Sequence, residues 1–387
     1  MYSLRTILYS TRLRQYLYQI LLISVIVLLG GYLYHNLQNN LSTRGIASGY
    51  SFLQNTAGFE IIMHLIPYNE QSSYFDAFVV GVLNTLLVSS LGIILATGLG
   101  MILGIARLSK NWIWAKLALV YVETIRNIPL LLQIFFWYFV VLRAAPLPRQ
   151  ALSLGESVFL TNRGIYLPKP LLNESFFWGF GICVLIWLIL KVSAQWIQNR
   201  WGSNALNQTI AYLKHSAFWA LGLLFVISFG LASWDRPVLE GFNFTQGMVI
   251  IPEFLALLLA LTLYTAAFIA EIFRAGILAI SKGQWEAAFS LGLSKTQLLR
   301  LIILPQALRI ILPPLTNQYL NLTKNSSLAA AIAYPDLVAV FAGTVLNQTG
   351  QAVEIIGITM AVYLSISLTI SGFMLLYERK TQWSRTS

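Results

Sequence analysis

Polar side chains inside long apolar stretches are the residues of this sequence best suited to handle a polar solute. Charges at membrane depth are costly, and they usually face a cavity or a partner. Such residues indicate the wall of a solute path, with no covalent reaction required. The candidate path residues are Arg126, Glu271, Asn317, Asn321, Lys324, Asn325, Ser326 and Ser327.

Two other roles remain open for these residues. The pairs Glu123–Arg126 and Glu271–Arg274 have the i,i+3 spacing at which opposite charges on a helix neutralise one another. Lys324 has no acidic neighbour in sequence. Its polar cluster could line the path, or it could join neighbouring helices through hydrogen bonds.

Residues for other kinds of chemistry are missing from the sequence. No G-x-x-x-x-G-K-[ST] motif occurs, so no loop of that kind cradles the phosphates of ATP. His35, His64 and His215 lack the spacing of metal ligands, and the single cysteine, Cys183, excludes a disulfide framework. We therefore predict no catalytic residue, no metal site and no cofactor bound by this chain.

The composition indicates a membrane protein. Of the 387 residues, 57% are hydrophobic and 10% are charged, whereas a soluble domain carries roughly 25% charged residues. A net charge of +11 could suggest a nucleic-acid partner. The basic residues stand in short clusters between apolar runs, however, which is how membrane topology is encoded. We therefore expect no nucleic-acid partner.

Long apolar runs predict an all-α protein with eight transmembrane helices. Each such helix needs about 20 mostly apolar residues. Pro313 and Pro314 interrupt the seventh run, where we expect them to break the helix and free backbone carbonyls. The predicted spans are 17–36, 77–106, 116–142, 174–192, 216–233, 250–274, 308–333 and 354–377.

The placement of lysine and arginine predicts the orientation of these spans. With the N-terminus inside, most of the 25 Lys and Arg residues fall on the cytoplasmic side, as the positive-inside bias requires. Both termini are then cytoplasmic. The first span is expected to remain as an anchor, because Gly30-Gly31-Tyr32 offers no small-x-small cleavage site. The predicted outer segments hold only Arg44, Arg143, Arg149, Arg163, Lys169 and Arg236.

Residues 282–309 are too polar to span a membrane and too regular for an idle loop. Residues 284–291 suit a short helix, which Gly292 would end. Ser294 can N-cap a second short helix, which would run through Leu301. Two short helices joined at a glycine form a compact elbow. Such an elbow could dock in a groove on a partner, or it could lie on the lipid surface as an ordinary amphipathic loop.

The same segment resembles the EAA loop of bacterial binding-protein-dependent ABC importers. Every signature position occurs at the family's spacing, between two predicted spans on the predicted cytoplasmic side. The resemblance implies that these residues couple the chain to an ATPase. They are Glu286, Ala287, Ala288, Gly292, Ile302, Leu304 and Pro305.

Further stretches resemble the polar-amino-acid branch of these permeases, and together they cover about 76–142 and 250–380. An added first span and an insertion at about 143–249 are similar to the general L-amino-acid permeases. The matching stretches are 81–86 (GVLNTL), 123–133 (ETIRNIPLLLQ), 270–277 (AEIFRAGI) and 324–328 (KNSSL), with 45–49 (GIASG) after the first span.

These stretches give a predicted domain organisation. A basic cytoplasmic N-terminus is followed by the extra span, a core in two parts, an insertion with two spans, and a short cytoplasmic tail. The corresponding residues are 1–16, 17–75 for the extra span with its periplasmic loop, 76–142 and 250–380 for the core, 143–249 for the insertion, and 381–387 for the tail.

The resemblance implies a type I ABC importer permease fold and a function in importing L-amino acids across the bacterial inner membrane. It also implies several partners: two ATPase subunits that use ATP, a periplasmic amino-acid-binding protein, and a second, distinct permease subunit. The chain would be a transport subunit and no enzyme by itself. An ion-coupled secondary transporter is the alternative, and its transport would collapse with the membrane potential.

Overall fold

The computed structural model describes residues 11–43, 49–171 and 233–383, with the isolated positions 181, 185 and 189. The predicted spans 174–192 and 216–233 fall almost entirely outside the described residues, as does Cys183. The chain forms two compact units. The first contains residues 1–128 and 261–387, and the second contains residues 129–260.

Helices dominate the described residues, which confirms the predicted fold class. Short 3₁₀ segments lie at Ser51–Gln54, Pro148–Gln150 and Ser326–Ile332, and π-helical segments lie at Phe136–Leu142, Leu299–Ile303 and Val338–Val345. The α-helices are α1 (Thr11–Thr43), α2 (Tyr74–Arg107), α3 (Trp112–Asn127), α4 (Leu130–Phe135), α5 (Pro252–Leu278), α6 (Lys282–Ser290), α7 (Lys295–Leu298), α8 (Leu304–Asn325), α9 (Leu346–Thr349) and α10 (Ala352–Trp383).

Among the described residues, five helical segments are long and apolar enough to cross a membrane. A sixth is reached if α3 and the helix from Leu130 to Leu142 form one broken span. These six correspond to the six predicted spans that the described residues contain. The five segments are Arg14–Leu37, Tyr74–Arg107, Pro252–Leu278, Lys295–Ile332 and Ala352–Lys380.

The expected helix break at Pro313 and Pro314 is wrong. Both prolines lie inside α8, which is continuous from Leu304 to Asn325. A proline removes one backbone hydrogen bond and crowds the preceding turn, but neighbouring helices and hydroxyl side chains can compensate. Leu312 and Leu315, on either side of the prolines, are buried, so neighbouring segments pack closely on α8 at this point.

The second unit contains short strands that the sequence did not reveal. Strands β1 to β8 are Leu152–Leu154, Val158–Thr161, Gly164–Leu167, Lys169–Leu171, Ser233–Asp235, Val238–Glu240, Asn243–Thr245 and Met248–Ile250. They form one antiparallel sheet in the order β1-β2-β3-β8 and two antiparallel pairs, β4-β5 and β6-β7. Strand β4 pairs with β5, with Lys169 opposite Asp235 and Leu171 opposite Ser233. The two residues that flank positions 172–232 therefore lie side by side.

Helices α2 and α5 pack closely, and this packing brings Arg107 on α2 near Glu271 on α5. A Cβ at Gly100 would lie 2.9 Å from the Ala266 carbonyl, and one at Gly104 would lie 2.8 Å from the Ala270 carbonyl. No side chain larger than hydrogen fits at either place. The Gly100-x-x-x-Gly104 pattern therefore marks a small-residue packing face, as its sequence indicates.

A buried polar cluster around Asn84 joins the first part of α2 to the residues that follow the 3₁₀ segment Ser326–Ile332. Asn84 donates its side-chain amide to the Met63 carbonyl at 2.8 Å and to the Pro335 carbonyl at 2.9 Å. Tyr334 donates its hydroxyl to the Asn84 carbonyl at 3.1 Å. These bonds satisfy backbone groups that hydrocarbon cannot. Asn84, in the GVLNTL stretch of α2, thus holds Tyr334 and Pro335, the residues just after the helical segment that contains α8.

Candidate functional site

The elbow turns at Gly292 and its first helix is short, as the sequence predicts, but the second helix does not end at residue 301, because the helix that Ser294 caps continues to Ile332. Helix α6 ends at Ser290, and Gly292 has a φ of +72°. A residue with a Cβ adopts this backbone conformation only with strain. Ser294 N-caps α7 in a capping box, in which Gln297 accepts a hydrogen bond from the Ser294 N–H at 3.0 Å.

The outer surface of the elbow is partly apolar. Phe289 is 54% exposed, Leu291 78% and Leu301 62%. Of the signature residues, Glu286, Ala287, Gly292, Leu304 and Pro305 are exposed, Ile302 is half-buried and Ala288 is buried. A cluster of exposed apolar side chains is typical of a surface that a partner covers.

The elbow is continuous with a long helical rod. Helix α7, the π-helical segment, α8 and the 3₁₀ turn form one segment from Lys295 to Ile332. At 1.5 Å per residue, about 44 Å of helix separates Lys295 from Lys324. Gln306 also donates its amide to Gln284 at 3.1 Å, which ties α6 to the start of α8.

One face of α8 carries three candidate path residues. Asn317, Asn321 and Lys324 follow one another at i, i+4 and i+7, and all three are exposed. On a helix these positions lie on the same face. The rod packs through other positions, because the hydroxyls of Tyr319 on α8 and Thr97 on α2 hydrogen-bond at 2.9 Å. A row of exposed polar side chains therefore runs along the second half of α8.

The remaining polar residues of this cluster lie next to that face. Ser326 is fully buried and donates its hydroxyl to the Thr323 carbonyl at 2.7 Å. Ser327, half-buried, donates its hydroxyl to the Lys324 carbonyl at 2.7 Å. Asn325 is half-buried. The two serines satisfy carbonyls at the end of α8, where the helix tightens into the 3₁₀ turn.

Glu271 belongs to a network of three charged side chains. Its carboxylate accepts hydrogen bonds from Arg274 at 2.6 Å and pairs with Arg107 on α2. The side chains of Arg107, Glu271 and Arg274 are 11%, 26% and 31% exposed. The Glu271–Arg274 pair is the i,i+3 pair expected from sequence. Arg107 was not anticipated, because its partner lies far along the chain and reaches it only through the glycine packing.

Arg126 does not form the i,i+3 pair that its sequence allows. Its guanidinium lies over the ring of Phe268, 5.1 Å from the centroid. A cation over an aromatic face is stabilised by the ring quadrupole. Glu123 is exposed, and no ion pair joins it to Arg126 among the described residues. The Nε atom of Arg126 is buried and finds no hydrogen-bond partner among the residues that the structure describes.

Asp336 is a buried charged residue that sequence reasoning missed. It accepts a hydrogen bond from the Ala339 N–H at 2.8 Å and one from the Tyr363 hydroxyl at 3.3 Å. Burial raises the pKa of this carboxyl to about 7, although these hydrogen bonds oppose the shift. An acidic residue just after Tyr334-Pro335 was the available signal. Its role is to cap the following helical turn beside the Asn84 cluster.

Comparison with known proteins places these features in a family context. Residues 96–382 match the family described as "Binding-protein-dependent transport system inner membrane component". The matched region includes the glycine packing face, the elbow, the polar face of α8 and the Glu271 network.

Three curated relatives are similar along nearly their whole length. The amino-acid ABC transporter permease protein YhdX of Escherichia coli (strain K12) is 53% identical, over 95% of this chain and 94% of that protein. The general L-amino acid transport system permease protein AapQ of Rhizobium johnstonii is 47% identical, over 98% and 95%. The glutamate/glutamine/aspartate/asparagine transport system permease protein BztB of Rhodobacter capsulatus is 41% identical, over 98% and 96%.

Proposed function

The chain belongs to the inner membrane components of binding-protein-dependent transport systems, and from this we propose that it imports L-amino acids as the permease subunit of an ABC transporter. The whole-length identity to three amino-acid permease proteins carries this proposal. The elbow and the polar face of α8 fit it, because a permease must receive force from an ATPase and offer polar groups to its solute.

The proposed partners follow from the same role. Two ATPase subunits would bind and hydrolyse ATP, since no phosphate-binding loop motif occurs in this sequence. A periplasmic binding protein would deliver the amino acid. A second permease subunit would complete the path, because importers of this class have two permease domains and this chain has one EAA loop. That subunit is either a second copy of this chain or a related permease, and the resemblance to the polar-amino-acid branch favours a distinct chain. No cofactor is proposed for the chain itself.

The elbow is continuous with the rod, and this continuity suggests how movement driven by ATP hydrolysis is transmitted to the solute path. We propose that ATPase movement shifts the elbow, and that the rod from Lys295 to Ile332 carries this movement to the Asn317–Lys324 face. A ligand changes an equilibrium only if it binds the two states differently. The ATP-bound dimer would favour one elbow position, and the rod would convert that preference into a change of access to the path.

Copurification tests the proposal directly. The chain should copurify with an ATPase subunit and a second permease, and ATP hydrolysis by the purified complex should rise when a loaded amino-acid-binding protein is added. Uptake into vesicles should require ATP inside the vesicle and persist when the membrane potential is collapsed. Uptake that stops with the potential and ignores ATP would favour a secondary transporter instead.

We propose an inner-membrane location with both termini cytoplasmic, which reporter fusions can test. Fusions after Arg200 and Arg300 should be active with a cytoplasmic reporter, and fusions near Arg163 with a periplasmic one. Positive-inside bias gives this orientation. A cytoplasmic signal at Arg163 would show that the spans before it are miscounted.

The Glu271 network makes a prediction about stability. Glu271→Gln keeps the side-chain shape but removes the charge shared by Arg107 and Arg274. We expect a loss of about 1–3 kcal/mol, the usual scale for hydrogen bonds to charged groups, measured by unfolding of the purified complex in detergent.

The matched control is Glu123→Gln. Glu123 is exposed and forms no ion pair with Arg126, so this variant should stay within about 0.5 kcal/mol of the parent protein. Equal effects of the two variants would contradict a structural role for the network. A loss of uptake at Glu271 far beyond its loss of stability would instead assign Glu271 to the solute path.

A further inference from the structure

A cavity lies beside the elbow, away from the polar face of α8. It has a volume of about 750 Å³. Its walls come from the end of α2 with the turn after it, the end of α5, and the elbow. The apolar lining side chains are Ile105, Leu108, Ile277, Leu299, Ile303 and Leu304, together with Trp285.

Three cationic side chains also line this cavity: Lys110, Lys295 and Arg300. Among its described lining residues no side chain is acidic, and all three cations are exposed. The cavity therefore combines a positive rim with an apolar floor. This combination suits an anionic headgroup attached to a hydrocarbon chain. A free phosphate would use the rim but gain nothing from the floor.

The residues that flank the cavity indicate that it lies near a membrane interface. Helix α2, an apolar span, ends at Arg107, and Trp112 and Trp114 follow it with exposures of 74% and 61%. Exposed tryptophans are enriched where hydrocarbon meets headgroups. Lysine and arginine placement predicts this side to be cytoplasmic, and the cytoplasmic leaflet carries the anionic lipids that basic pockets between spans bind.

We propose that this cavity binds one anionic phospholipid, with its phosphate at Lys110, Lys295 and Arg300 and an acyl chain against the apolar floor. Of the seven EAA signature residues only Leu304 lines the cavity, among the residues described. The lipid would therefore sit beside the proposed ATPase-docking surface and support the elbow from the membrane side. This proposal does not depend on which amino acid is transported.

Native mass spectrometry of the assembled complex can test the lipid site. The complex is reconstituted in nanodiscs with or without phosphatidylglycerol, released, and examined for retained lipid. The parent complex should retain phosphatidylglycerol in preference to phosphatidylcholine. The triple variant Lys110→Gln, Lys295→Gln, Arg300→Gln should weaken retention about tenfold or more, because each cation near the surface contributes to binding.

A second triple variant provides the matched control. Lys116→Gln, Arg379→Gln, Lys380→Gln removes the same charge from exposed cations outside the cavity, and it should retain lipid as the parent complex does. The variant Lys110→Arg, Lys295→Arg, Arg300→Lys keeps the charge and should restore binding. Added salt should weaken retention in the parent, because screening reduces such interactions.

Three outcomes would overturn the proposal. Equal loss of lipid from both glutamine variants would show general surface attraction. Inorganic phosphate or glycerophosphate that displaces the lipid at comparable concentration would show a small-anion site without a lipid chain. Unchanged lipid retention with loss of the ATPase subunit from the cavity variant would assign the cavity to a protein partner.

Discussion

Gly292→Val should lower amino-acid uptake about 100-fold or more while the chain still inserts into the membrane. Gly292 has a φ of +72°. A β-branched side chain strains a backbone of this conformation even when there is room for the side chain. A Cβ at Gly292 would meet no atom of the described part of the chain within 4 Å, so the effect comes from the backbone and not from a clash. The elbow would then present its exposed surface at a wrong angle. Uptake by cells that contain equal amounts of the assembled complex is the measurement.

Gly283→Val is the matched control for this glycine. Gly283 lies in α6 on the same elbow, and its Cβ would also meet no atom within 4 Å. Its backbone is helical, so valine costs only the small difference in helix propensity. We expect uptake within about threefold of the parent protein. If both valine variants import normally, the geometry at Gly292 has no part in coupling.

Glu286→Lys tests the same surface through charge. Glu286 is exposed on α6 and makes no ion pair among the described residues, so its reversal should leave the elbow folded. We expect uptake and substrate-stimulated ATP hydrolysis to be lost together, because like charges across an interface cost several kcal/mol. A variant that hydrolyses ATP and imports normally would remove Glu286 from the docking surface.

Local chemistry explains which parts of this structure could be predicted from sequence. The elbow depends on Gly292 and Ser294, whose conformational preferences act on their own neighbours. The glycine face of α2 depends on two residues one turn apart. Each feature requires only short-range information, and the glycine turn and the serine cap of the elbow form as predicted.

Long-range contacts explain what could not be predicted. The Arg107–Glu271 pair forms because α2 and α5 pack at Gly104, and the tie from Asn84 to Pro335 joins residues 251 positions apart. The helix continues through Pro313 because surrounding contacts outweigh a local preference. The short strands of the second unit were missed because segments of three or four residues carry little periodicity.

The rod from Lys295 to Ile332 depends on both local and long-range contacts. Its cytoplasmic end, by the proposed orientation, is set by the local caps of the elbow, and its other end is held by the Asn84 cluster. A helix held at both ends transmits a shift of one end as a tilt or translation of the whole. The exposed polar face between them would then move against whatever covers it.

Lys324→Met should change which amino acids are imported, by about tenfold or more in the ratio of acidic to basic substrates. Lys324 is exposed at the end of the polar face, where its ammonium would attract a carboxylate and repel a second cation. A tenfold change corresponds to about 1.4 kcal/mol, which is modest for one charge. The methionine side chain has similar bulk, so packing should survive. The measurement is uptake of acidic, neutral and basic amino acids, each normalised to assembled complex.

The competing role for Lys324 is a hydrogen bond between helices, and it predicts a different pattern. Loss of such a bond would reduce the amount of complex and the uptake of every amino acid in the same proportion, without a change in ratio. Lys116→Met, an exposed lysine on α3 outside the polar face, controls for loss of one positive charge. Asn321→Ala, one turn earlier on the same face, should shift selectivity as well if the face lines the path. An unchanged ratio in both Lys324→Met and Asn321→Ala would remove the polar face of α8 from the solute path.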